Sequence, residues 1–137
     1  MGRNITLEQA DAIVTACKSE AQTVGQPMNI AVVDDGGNLV AFAAMDDTKL
    51  IGENISQRKA LTSVMFQMDT RDLVPLVQPG AALYGIESTS EGNLVVFGGG
   101  VLLRDRDGHV AGGVGVSAGT VVEDHQVADA GRKAYTG

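Results

Sequence analysis

The 137 residues are 44% apolar, enough for one core, and carry a formal net charge of −7; a field of that sign repels phosphate backbones and anionic lipid, so nucleic acid and membranes are not expected partners. Cys17 is the only cysteine, which excludes an internal disulfide framework and a cysteine-rich zinc site and fits a reducing, cytoplasmic setting. No run approaches the ~18 apolar residues of a membrane span, and Met1-Gly2-Arg3-Asn4 leads into a polar helical pattern without an apolar leader.

Thr6-Leu7-Glu8-Gln9 has the spacing of a capping box and predicts a helix start. Ala10, Ile13, Val14, Cys17, Ala21 and Val24 continue one apolar face until Gly25 and Pro27 stop it. Asn29 to Asp34 and Leu39 to Met45 are β-rich runs joined by Asp35-Gly36-Gly37-Asn38, a hairpin signal. From Leu50 to Met68 helical spacing returns, with Ile51, Ile55, Thr62 and Phe66 on one stripe and Leu61, Met65 and Met68 beside it. Pro75, Pro79 and several glycines break up the next stretch, leaving room for a short helix at Arg71 to Val77.

Leu94 to Phe97, Val101 to Asp105 and His109 to Ser117 read as three strands, the last two joined at Asp107-Gly108. A second capping box, Thr120-Val121-Val122-Glu123, opens a final helix whose Val127, Ala128, Ala130, Gly131 and Ala134 suit close packing on a sheet. The order α-β-β-α-(α)-β-β-β-α predicts one α+β domain over residues 1–137, with an antiparallel sheet covered by helices.

Gly113-Val114-Gly115-Val116-Ser117-Ala118 matches a relaxed dinucleotide fingerprint, yet no acid stands about 20 residues on to hold a ribose and no parallel strand follows. The glycines are better read as allowing a helix to lie close on a strand. Gly98-Gly99-Gly100 joins two predicted strands and lets a ligand approach backbone amides, the alternative being a bulge or tight connection.

Lys59 falls on the apolar stripe of the second helix, with Arg58 at its edge. Its stem covers apolar surface while the ammonium reaches water, or the ammonium enters a pocket to meet a ligand carboxylate or act as a base. His109 and His125 are the only imidazoles, too few for a multi-histidine metal site in one chain, and no metal is expected. His109 follows a turn and is expected to be solvated. His125 is expected on a polar helix face, the alternative being an iron ligand. Glu123, Asp124 and Asp129 fit helix-terminus and surface acids, Ser117 lacks a nucleophile elbow, and Cys17 reads as a packing residue.

Ile30-Ala31-Val32-Val33-Asp34, Gly37-Asn38-Leu39-Val40, Met45-Asp46, Lys59-Ala60 with Thr62, Phe97-Gly98-Gly99-Gly100-Val101, and Gly115-Val116-Ser117 with Gly119-Thr120 and Asp124 occur in one order. With them the chain resembles, nearly end to end, the GlcG/HbpS-like family, also described as the haem-degrading domain and shared with the C-terminal part of PduO-type corrinoid adenosyltransferases. The resemblance implies a profilin-like fold with a five-stranded antiparallel sheet, a homo-oligomer, and haem or a related tetrapyrrole as cofactor or ligand. Ala44, Asp47, Gly98, Leu102 and Ala118 depart from residues common in the family, and the altered Met45-Asp46-Asp47 and Gly98 to Leu102 segments are expected to reshape the pocket.

The expected function is therefore small-ligand binding, with Arg58, Lys59, Gly99, Gly100 and Asp124 as binding residues. Two alternatives stand beside it. One is a cofactor-independent isomerase or lyase that moves a proton through Lys59 on a small oxygenated metabolite; the other is an accessory structural oligomer.

Overall fold

Both capping boxes form. Thr6 Oγ1 accepts the Gln9 amide while Gln9 Oε1 accepts the Thr6 amide, and α1 (Leu7–Val24) runs from there to Gly25 in the left-handed conformation. Thr120 and Glu123 exchange the same bonds at the start of α3 (Val121–Lys133). The computed structural model describes residues 4–137, so the expectation for Met1-Gly2-Arg3 lies outside it.

Two hairpins rest on one device. In the turn between β1 (Asn29–Asp34) and β2 (Leu39–Ala44), Asp34 Oδ1 accepts the amides of Gly36 at 3.0 Å and Asn38 at 2.9 Å. Between β3 (Gly100–Arg104) and β4 (Val110–Ser117), Asp105 Oδ1 does the same for Asp107 and His109, each at 2.9 Å. The sheet is antiparallel throughout, in the order β2-β1-β4-β3.

Because β1 lies inside the sheet, all six of its residues are buried. Ile30 and Val32 face α1 and α3 in the larger core, with Ile13, Cys17, Met28, Val101, Val114, Val116 and Val127. Ala31 and Val33 face α2 (Ile51–Phe66) with Ala60, Val64 and Leu102.

Two expectations are corrected. Leu94 to Phe97 is not a strand, so among the described residues the sheet has four strands and not five. Leu94 and Val95 are buried, but the Val95 amide donates to Thr62 Oγ1 of α2 at 3.0 Å, so the segment is anchored to a helix side chain instead of a neighbouring strand. The other correction concerns α2, whose buried residues are Gly52, Ser56, Lys59, Ala60, Thr62, Ser63 and Val64 while Ile51 is exposed.

The reason lies in the strand beneath. A Cβ on Gly115 would collide with the Ser56 carbonyl oxygen, and one on Gly113 would sit 2.6 Å from the Ala60 carbonyl oxygen. Helix backbone therefore rests nearly on sheet backbone, a distance that only small residues allow. Close helix packing is thus what Gly113 and Gly115 serve. Between α2 and β3 the chain forms two 3-10 segments, Thr70–Leu76 and Ile86–Ser90, the first overlapping the short helix predicted at Arg71 to Val77 and ending one residue earlier.

Candidate functional site

α2 delivers Lys59 to the sheet-facing side, where it is fully buried. The ammonium does not reach water. Nζ donates to the Val116 carbonyl oxygen and to Asp124 Oδ2, each at 2.8 Å, and lies 5.1 Å from the centre of the Phe97 ring. Asp124, in the first turn of α3, is buried as well, and its Oδ1 accepts the Gly119 amide at 2.9 Å. Burial pushes the Lys59 ammonium below its ordinary value and the Asp124 carboxyl above its own; their mutual attraction and hydrogen bond oppose both shifts.

The glycines complete this arrangement. At Gly99, with φ of +128°, a Cβ would stand 2.5 Å from Lys59 Nζ and 2.7 Å from the Val116 oxygen. Only glycine leaves that path open. A Cβ on Gly100 would run into the Lys59 carbonyl, and the Gly100 amide donates to Thr70 Oγ1 at 2.9 Å. Lys59, Gly99, Gly100 and Asp124 are thus brought together. Arg58 is placed elsewhere: its Nη1 donates to the Gly92 carbonyl at 2.6 Å, and it borders a separate cleft with Asn38, Asn54 and Gln57.

The position of His125 corrects an expectation. It is 8% exposed, not spread on a polar face. Helical spacing held the signal, because His125 follows Val121 by four residues and shares its side of α3. With Arg71, Val74, Gly98, Val121 and Val122 it lines a cleft of about 160 Å³. Its Nδ1 is buried without a hydrogen-bond partner among the described residues. Burial, then the nearby Arg71 charge, push its pKa below the ordinary value; Asp69 and Asp129 oppose this.

His109 is exposed, as expected, near Asp105. Ligand atoms of Asp105, Asp107 and His109 lie within 4.8 Å of one another there, but Asp105 Oδ1 is committed to the turn's own amides. Cys17 is buried, and burial raises its thiol to about 12. Among the described residues no helix is long and apolar enough to cross a membrane.

A family described as haem degrading protein HbpS-like matches residues 5–133. An uncharacterised 15.0 kDa protein of Citrobacter freundii, encoded between dhaT and dhaS, is 39% identical over 127 residues, covering 91% of this chain and 87% of that one. The corrinoid adenosyltransferase PduO of Citrobacter freundii is 35% identical over 126 residues, covering 92% of this chain but 37% of PduO, so the chain spans little more than a third of that enzyme. Among solved structures, that of a PduOC–haem complex superposes with a TM-score of 0.90 at 35% identity, covering 95% of this chain and 94% of that one. An antiparallel sheet flanked by helices, the ordered run of motifs and a match across nearly all of the described residues agree: the chain belongs to the HbpS-like family.

Proposed function

We propose that this protein binds a small ligand at the cleft beside the first turns of α3, with haem or a related tetrapyrrole as the leading ligand. The observation that carries the reading is an apolar surface around that cleft. Val122 is 73% exposed and Val121 47%, next to an Arg71 guanidinium. Large apolar side chains left in water around a concavity mark a binding surface. The similarity to PduOC, whose solved structure is a haem complex, supports the same ligand class.

The residues fit the group. Valine side chains suit an apolar macrocycle, and a guanidinium suits its carboxylates. The cleft, at about 160 Å³, is smaller than the roughly 300–1,000 Å³ of pockets that enclose a drug-sized ligand, so a macrocycle would lie across its mouth. Bound haem would supply a redox-active iron; the chain's own residues bind and orient it. A second copy covering Val121 and Val122 would enclose what one chain leaves open, which is where we place self-association.

In this reading Lys59 and Asp124 are positioning residues. Their pair fixes the first turn of α3, and Gly99 and Gly100 give it room. A base at Lys59 would need substrate at Nζ, where Asp124, the Val116 carbonyl and the Phe97 ring already stand, so the geometry favours positioning over proton transfer. Arg58 has no part in this site.

Haemin titration followed by absorbance is the test. Expected are a saturable shift of the Soret band and an affinity at least tenfold weaker in Val122→Glu, which puts a carboxylate on the exposed mouth. A titration without saturation refutes the tetrapyrrole assignment.

A further inference from the structure

The cleft is too small for a macrocycle yet carries two polar groups that the fold does not use. Arg71, on the 3-10 segment Thr70–Leu76, has no ion pair or hydrogen bond among the described residues. The carboxylates that bear on His125, Asp69 and Asp129, are each held at 2.7 Å by Arg132, so Arg71 is the uncompensated charge beside the imidazole.

The imidazole adds a direction. Nδ1 is shut away from water with no partner, and neither ring nitrogen has a hydrogen bond among the described residues. A buried N–H without an acceptor is costlier than a buried lone pair, so the proton belongs on Nε2, the nitrogen that is not shut away. The ring that lines the cleft therefore offers it a donor. His125, with Nε2 as its less buried nitrogen, and Arg71 both line a space otherwise walled by Val74, Val121, Val122 and Gly98.

We propose that this cleft recognises a carboxylate carried on a short apolar body, with Arg71 and His125 Nε2–H as the donors and the three valines holding the carbons. Resting on the binding site assigned above, the proposal names what that site reads. Its volume equals about five water molecules at roughly 30 Å³ each, enough for a propionate-sized group. The group could be the propionate arm of a tetrapyrrole lying across the mouth or a free short-chain carboxylate; the chemistry is shared. Arginine suits it because its planar fork matches a carboxylate.

The experiment measures binding of butyrate and of its neutral isostere butyramide by calorimetry, and of protoporphyrin IX and its dimethyl ester by fluorescence quenching. Wild type is compared with Arg71→Met and His125→Phe. Arg71 is exposed, so its variant keeps the fold even if the histidine variant does not. Butyrate binding at least tenfold tighter than butyramide, with that preference lost in Arg71→Met, supports the site and a free carboxylate as ligand. If butyrate does not bind but protoporphyrin IX binds at least tenfold tighter than its dimethyl ester, again dependent on Arg71, the site stands with the tetrapyrrole as source. Butyrate binding without porphyrin binding keeps the site and removes the tetrapyrrole reading. Equal binding of acid and ester without butyrate binding overturns the carboxylate site while leaving the tetrapyrrole reading in place. No binding of any probe overturns both.

Discussion

At Ala118 the backbone holds φ of +117°, a region where a Cβ is crowded and glycine is not. The chain keeps this conformation because the next residues set up α3: the Gly119 amide reaches Asp124, and Gln26 donates to the Ala118 carbonyl. Ala118→Gly should therefore raise stability by about 1 kcal/mol, seen as a higher urea midpoint at unchanged slope. An unchanged or lower midpoint would show that the strain is not felt. Lys59 and Asp124 call for the opposite kind of change. Lys59→Met leaves a buried carboxylate unpaired and should cost about 3–5 kcal/mol. Adding Asp124→Asn removes that charge while keeping an oxygen for Gly119, and should recover part of the loss; a double variant as unstable as the sum of the singles would refute the coupling. The sequence placed Lys59 and Asp124 at one site through motif order, but it could not say that they neutralise each other. Two residues 65 positions apart meet only through the fold. His125 shows the converse, since the Val121 spacing was readable, but its burial depends on the segment carrying Arg71, which no helical periodicity reports.

The element scale reverses what hydrophobicity alone suggests for α2. Its large apolar Ile51 faces water while Gly52, Ser56 and Ala60 face the sheet. Ile51→Ser should change stability by no more than about 0.5 kcal/mol. Gly115→Ala, by forcing a methyl into the Ser56 carbonyl, should cost about 3 kcal/mol, the upper end for an overpacked site. Chemical denaturation of the two variants decides it, and the reverse ranking would sink this account of the interface. Capping boxes and hairpin turns were legible because their signals are local: Thr6 with Gln9, Thr120 with Glu123, Asp34 and Asp105 each with amides two and four residues on. The face of α2 was not, because its choice of small residues answers to glycines on a strand some fifty positions away. The Leu94 to Phe97 segment failed as a strand for a related reason: its Val95 amide found a threonine hydroxyl on α2, which strand propensity does not anticipate. Asp129, near the end of α3, adds a pH-dependent part. Burial alone would raise its pKa, but Arg132 and Lys133 outweigh this and hold it below 3.8. The stabilisation is therefore present above the unfolded value and fades as pH falls through the folded one. Asp129→Asn should be less stable than wild type at neutral pH and lose that difference in strong acid; a gap of constant size would rule the mechanism out.

For the whole molecule, the α+β class followed from element order, whereas the strand count and the division of the core between the two faces of the sheet did not. The aliphatic core also predicts chemistry. With its thiol raised to about 12 and no exposure, Cys17 should resist a thiol-specific reagent in the native state and react only as the protein unfolds. Rapid native labelling would show that α1 opens locally. The ladder of six residue pairs between β1 and β4 joins a portion built from α1, β1, β2 and α2 to one built from β3, β4 and α3. Between the portions runs a stretch whose exposed tips at Pro79, Gly80 and Glu91 lie outside the sheet. A protease cutting there would sever the covalent chain without cutting a strand, and the two pieces would remain one particle. Made as separate polypeptides, they are complementary fragments: each lacks the neighbour that its inner strand needs, so each is the other's missing half, and their reassembly can be scored by whether they co-elute.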